Sequence, residues 1–242
     1  MKDNQIPLSL ADYITLFNAL LGFFAITYII DGRFWIASII IVATIALDGL
    51  DGMVARYLKI EHKQGEYLDL FSDTISFCFA PAIMLYSNFY DISLGRAWES
   101  PVNFLSTAVP MSVVFFGILR LARFTEEPAG YKNYSGLPTP VIAMLIISST
   151  FLFGKGELVA YYPIPALILI LMISILMYTT VEYPKIKDRS LIVSAGTIVI
   201  ISFIGVISFR EITSLSLIFL GISFIGCLAY TISGPIIAKY GR

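Results

Sequence analysis

Four aspartates are spaced as if to hold something between them: Asp48 and Asp51, then Asp69 and Asp73, within DGLDGMVARYLKIEHKQGEYLDLFSD. The stretches on either side, FWIASIIIVATIAL and TISFCFAPAIMLY, carry no charge. An aspartate at the centre of a membrane-spanning helix costs roughly 2.5 to 3.5 kcal/mol, so four together cost on the order of 10 kcal/mol unless something offsets them. Divalent cations are the natural offset. A ligand set made only of carboxylate oxygens selects hard ions such as Mg²⁺ or Mn²⁺ and not zinc.

Helical geometry brings these residues together. At about 100° per residue, Asp48, Asp51, Gly52, Ala55 and Arg56 share one face of a first helix. Gly65, Asp69, Asp73 and Ser76 share one face of a second. The short polar turn YLKIEHKQ between them makes the two helices antiparallel neighbours. At about 1.5 Å per residue, Asp48 lies roughly 15 Å from the end of its helix and Asp73 roughly 12 Å from the start of the next, so the four carboxylates meet at similar depth. His62, in that turn, reads as a solvated loop residue and not as a ligand.

The elements that must position this site are membrane helices. The chain has 242 residues, is 57% hydrophobic and only 14% charged, with a mean hydropathy of +0.83. That excludes an ordinary soluble domain. The expected fold is all-α, a polytopic membrane helix bundle of about eight spans. They fall near 12 to 30, 34 to 58, 66 to 89, 102 to 124, 138 to 154, 162 to 180, 190 to 209 and 213 to 236. No linker divides them, so residues 1 to 242 read as a single membrane domain. Cys78 and Cys227 lie in apolar runs and read as buried thiols. The start, MKDNQIPLSLADY, lacks a cleavable signal pattern, so the first apolar run is expected to be retained.

The basic residues give an orientation. With the N-terminus cytoplasmic, inside segments collect Lys2, Arg56, Lys59, Lys63, Arg120, Arg123, Lys132, Lys185, Lys187, Arg189, Lys239 and Arg242, while outside loops hold Arg33, Arg96, Lys155 and Arg210. This bias places both termini and the acidic site on the cytoplasmic side of the plasma membrane, provided the number of spans is even. The net charge of −1 says little about partners. No nucleic-acid partner is expected.

The pattern D-x2-D-G-x2-A-R-x8-G-x3-D-x3-D, filled at every position by Asp48, Asp51, Gly52, Ala55, Arg56, Gly65, Asp69 and Asp73, resembles the signature of the CDP-alcohol phosphotransferases. A transporter or channel hairpin would also put acids in a membrane, but a conduction path does not require this glycine, alanine and arginine spacing. The resemblance implies two divalent ions, Mg²⁺ or Mn²⁺, held by Asp48, Asp51, Asp69 and Asp73, and a CDP-lipid donor that releases CMP. It implies that Asp73 is also the general base for the acceptor hydroxyl. Nucleotide binding falls to Thr15, Asn18, Asp51, Gly52, Ala55, Arg56 and Gly65. Gly52 and Ala55 allow close approach of the nucleotide, and Arg56 offers a fork to phosphate oxygens. For Asp12, Thr15 and Asn18 a second reading stands, a helix cap followed by a polar packing stripe.

Three further stretches resemble the phosphatidylserine synthase branch of that family: Ser76 to Pro81 (SFCFAP), Arg120 to Phe124 (RLARF) and Gly136 to Pro140 (GLPTP). They imply L-serine as acceptor, with Arg120 and Arg123 binding it. Arg120 and Arg123 could instead be a snorkelling pair that anchors a helix end. Glycerol phosphate or inositol phosphate is the alternative acceptor, with Lys132 a further basic group near the mouth. Ala11 to Thr15 looks more like archaeal members, the archaetidylserine synthases, which leaves the lipid anchor open between diacylglycerol and archaeol. The family core covers about residues 10 to 180. The C-terminal helices, about 190 to 236, are expected to serve packing or self-association as a homodimer.

Overall fold

The computed structural model describes residues 8–58, 63–126, 133–155, 162–184 and 213–240, together with Thr197, Ile200, Ile201, Ile204 and Ile207. The chain begins with helix α1 (Leu10–Ile30) and returns as α2 (Phe34–Leu58). A continuous rod follows, built from α3 (Lys63–Asp73), a π-helical turn (Thr74–Phe79) and α4 (Ala80–Phe89). Then come α5 (Pro101–Glu126), α6 (Thr139–Phe153), α7 (Pro163–Leu176) and α8 (Thr213–Tyr240). Five of these helices are long and apolar enough to cross a membrane: Leu10–Ile30, Phe34–Ala55, Lys63–Phe89, Pro101–Thr125 and Ser216–Tyr240. This is an integral membrane protein. α6 and α7 are shorter apolar helices. The expected span from 190 to 209 falls largely outside the described residues.

The bundle turns its large apolar side chains outward, as lipid allows. Phe17, Leu20 and Phe23 of α1 and Ile218, Ile225 and Ile232 of α8 are all exposed on its surface. Small polar groups go inside: Ser38, Ser106, Ser148, Ser149 and Ser174 are buried, where small side chains let helices approach closely. α6 is the centre of the packing, buried without a break from Ile142 to Phe151. A helix apolar on all faces has no reason to keep one toward solvent. At about 1.5 Å per residue its length is roughly 22 Å, less than a full bilayer crossing.

Pro81 explains the π turn. It has no N–H to continue the α-ladder, and its ring crowds the carbonyl four residues back. The chain answers by widening the preceding turn, and the Ala80 amide bonds to the Ile75 carbonyl. Such turns insert one extra residue without breaking the helix. The rod therefore continues past the proline where a kink would have been the simpler expectation.

Two short strands add to the all-helical expectation. β1 (Asn133–Ser135) precedes α6 and β2 (Glu182–Pro184) follows α7. They pair antiparallel with Tyr134 opposite Tyr183. The Gly136 amide donates to the Val181 carbonyl at 2.8 Å, and Gly136 has φ +82°, where an added Cβ would strike the Met177 carbonyl.

Candidate active site

The site begins with the cap of α1. The Ser9 hydroxyl accepts from the Asp12 amide, and the Asp12 carboxylate accepts from the Ser9 amide at 2.6 Å. Asp12 is thus the third-position partner in a capping box, with Ser9 as the cap itself. Starting the helix there fixes which face turns inward: Asp12, Thr15, Asn18 and Gly22 are all buried. Thr15 donates its hydroxyl to Asp51 Oδ2 at 2.7 Å, and Thr15 Oγ1 also lies 3.1 Å from the Ala11 carbonyl. This ties α1 to the acidic face of α2.

The carboxylates converge from two helices. One oxygen from each of Asp48, Asp51 and Asp69 lies within 4.8 Å of the others. Asp73, one turn beyond Asp69, lies beside Asp48. Its Oδ1 is buried without a hydrogen-bond partner. Asp51 and Asp73 are buried, and Asp48 and Asp69 half-buried. Acids pressed this closely repel one another unless protons or cations stand between them. The donor set is all oxygen and already gathered, which fits a hard divalent ion.

Arg120, near the end of α5, faces this cluster. Its charge acts on Asp48, Asp69 and Asp73. The side chain is only 6% exposed. Nη1 donates to Thr139 Oγ1 at 3.3 Å, while Nε has no partner. The rings of Phe124 and Tyr134 lie 5.3 and 5.7 Å from the guanidinium carbon.

Arg123 has a different environment. Nη1 and Nη2 donate to the carbonyls of Thr179 and Tyr178, each at 3.1 Å, and Nη1 lies 3.5 Å from Ser135 Oγ. The guanidinium carbon stands 4.0 Å from the Tyr178 ring centre. These bonds lash α5 to the end of α7 and to β1. The two arginines of the RLARF stretch are therefore divided between the acidic site and the helix ends.

Asn18 is 1% exposed, and neither its amide nitrogen nor its amide oxygen has a partner. Most buried side-chain polar atoms have a hydrogen-bond partner, so this amide is open to one. Its backbone carbonyl accepts from Ser76 Oγ at 3.2 Å, joining α1 to the π turn just past Asp73. Gly52, Ala55 and Gly65 lie half-buried on the faces of α2 and α3 that carry the acids. The Arg56 side chain, His62 and Lys132 lie outside the described residues. Thr139 and Tyr134, which reach Arg120 from α6 and β1, had no separate signal in the sequence beyond the proline-rich stretch around them.

The CDP-alcohol phosphatidyltransferase pattern matches residues 8–206. This chain belongs to that family. It is 36% identical to the archaetidylserine synthase of Methanothermobacter thermautotrophicus over 77% of this chain and 75% of that protein. It is 30% identical to a CDP-diacylglycerol–serine O-phosphatidyltransferase of Methanocaldococcus jannaschii over 97% of this chain and 96% of the relative. A protein of the same description from Helicobacter pylori is 31% identical, with 85% and 83% covered. The four gathered aspartates lie within the residues that the family pattern matches.

Proposed function

We propose that this protein is a CDP-lipid:L-serine O-phosphatidyltransferase, an integral membrane enzyme of a single domain whose site opens to the cytoplasm. The observation that carries the reading is the gathering of Asp48, Asp51 and Asp69 with Asp73 beside them, near the buried Arg120 whose Nε has no partner. The names of the relatives support serine as acceptor, and the similarity to the Methanothermobacter protein favours an archaeol-linked donor.

Asp48, Asp51, Asp69 and Asp73 would hold divalent cations, Mg²⁺ or Mn²⁺ and two in number, which when bound offset the charge of the donor's diphosphate and of the departing CMP. Thr15 holds Asp51 in place through its hydroxyl. The open amide of Asn18 is available to the nucleotide, and Gly52, Ala55 and Gly65 leave room beside the helices for it. Asp73 Oδ1 takes the proton of the serine hydroxyl as that oxygen bonds to the lipid-side phosphorus and the bond to CMP breaks. Arg120 receives the serine carboxylate on its free Nε edge. An even number of spans, eight by the sequence reading, would put both termini inside. α8 lies beyond the residues that the family pattern matches.

The test is CMP release by purified enzyme given CDP-archaeol or CDP-diacylglycerol, Mg²⁺ or Mn²⁺, and L-serine. Serine-dependent release of CMP is expected, and Asp73→Asn should lower it by about 10² to 10⁴, the contribution of a general base. Release that responds to glycerol phosphate or inositol phosphate and not to serine would replace the acceptor. An Asp73→Asn enzyme with near-normal turnover would remove Asp73 from the chemistry.

A further inference from the structure

The family pattern ends at residue 206, and α8 begins at Thr213, yet α8 reaches the mouth of the site through the strand pair. An isolated two-stranded ribbon has little stability of its own. Here β2 lies along α8. Tyr183, at the centre of β2, is 1% exposed and donates its hydroxyl to the Thr231 carbonyl at 3.2 Å. Its ring stacks on Tyr230 with centres 5.7 Å apart. The Tyr230 hydroxyl in turn donates to the Pro184 carbonyl at 3.3 Å.

Gly234 makes the fit possible. An added Cβ there would come within 2.7 Å of the Tyr183 ring and 3.6 Å of Pro184. Opposite Tyr183 in the ladder stands Tyr134. Tyr134 places its ring 5.7 Å from the Arg120 guanidinium and 5.9 Å from the Phe124 ring. Asn133 and Glu182 close the end of the ribbon with a 2.7 Å side-chain bond.

We propose that α8 is the positioning element for the acceptor side of the active site: Gly234 and Tyr230 seat Tyr183, Tyr183 sets β2, and β2 holds the Tyr134 ring against Arg120. Tyr134 and Phe124 confine a guanidinium whose Nε is free, so they decide the direction in which that edge points. A small displacement of the ribbon turns Arg120 away from the acceptor without disturbing the carboxylates on α2 and α3. The inference rests on Arg120 as an acceptor-binding group, and holds for whichever acceptor the enzyme takes.

The experiment compares Tyr183→Phe, Gly234→Ala, Tyr134→Phe and Tyr134→Leu by CMP release, with acceptor and CDP-lipid each varied to saturation. The wild-type enzyme is first offered serine, glycerol phosphate and inositol phosphate, and the variants are assayed on the one it uses. A wild type that ignores serine thus overturns the proposed acceptor while this comparison still runs. Gly234→Ala and Tyr134→Leu should lower kcat/KM for the acceptor about tenfold or more, with the CDP-lipid KM within about twofold of wild type. Tyr134→Phe, which keeps the ring, should restore the acceptor value, and Tyr183→Phe should lower it about threefold. Should Gly234→Ala not fold, Tyr183→Phe and the Tyr134 pair carry the same test. Equal losses for both substrates, or folded variants with unchanged acceptor kinetics, would overturn the proposal.

Discussion

At the scale of single residues, the site separates groups that face the reacting centre from groups that hold them. Thr15 is of the second kind, since its hydroxyl fixes one oxygen of Asp51 at 2.7 Å. Partners that orient metal-binding ligands are worth about 10 to 100-fold in metal affinity or activity. Thr15→Val should therefore raise the Mg²⁺ or Mn²⁺ concentration needed for half-maximal activity by roughly tenfold, and Thr15→Ser should restore it. A metal titration unchanged in Thr15→Val would assign the hydroxyl to helix packing alone. The two arginines offer a paired test. Arg120→Lys replaces a planar fork by a point charge and should raise the acceptor KM while sparing the CDP-lipid KM. Arg123→Lys loses bonds to two backbone carbonyls, worth roughly 1 to 3 kcal/mol. It should lower the unfolding temperature in detergent and leave the acceptor KM alone. Opposite results for the two would exchange their roles. The acids were legible in the sequence because their spacing follows the helical repeat within uncharged runs. The difference between Arg120 and Arg123 was not, because both stand on one helix face and only their distant neighbours, Thr139 and the Tyr178–Thr179 carbonyls, distinguish them.

At the scale of elements, Asp73 depends on the join between α1 and the π turn. Gly22 of α1 meets Ser76 there, and an added Cβ would lie 2.9 Å from the Ser76 Cα, against backbone that has no rotamer to yield. Gly22→Ala should push the turn away, break the Ser76 bond to the Asn18 carbonyl and displace Asp73. The expected result is a loss of kcat of at least about tenfold with a lower unfolding temperature, consistent with overpacking costs of about 1 to 3 kcal/mol. Gly221→Ala is the control, since a Cβ there meets nothing within 4 Å. Similar behaviour of the two variants would show that the contact does not hold Asp73. Helix positions were readable from apolar length, as α2 and α5 illustrate. The π turn was not, because Pro81 signals a local disturbance without saying whether it becomes a kink or a widened turn. The strand pair was less readable still: three residues carry no period, and Tyr134 meets Tyr183 across two intervening helices.

At the scale of the whole molecule, one end of the bundle carries the chemistry. Asp48, Asp69, Arg120 and the strand pair lie toward the α2–α3 turn and the C-terminal end of α5. The opposite end holds Asp91, Asn103 and Lys155. There the Asn103 side chain ties down the loop by donating to the carbonyls of Asp91 and Gly95 at 2.7 and 2.9 Å. Lys155 Nζ donates to the Tyr90 carbonyl at 2.6 Å. Arg33, Arg96 and Lys155 are the basic residues at this end among those described, and the sequence count puts the larger share at the end with the acidic site, which we propose faces the cytoplasm. Orientation in a membrane follows that excess. A nucleotide-linked donor drawn from the cytoplasm would meet the site on that side, which agrees with the proposed orientation. Both arguments are tested by single cysteines added to a chain whose own thiols, Cys78 and Cys227, are buried. Ile92, 86% exposed in the α4–α5 loop, and Lys63, exposed at the start of α3, mark the two ends. In intact cells an impermeant maleimide should label Ile92→Cys directly and Lys63→Cys only after permeabilisation. The reverse pattern would set the carboxylates on the face away from the nucleotide pool and overturn the proposed orientation, leaving the geometry of the site as it stands.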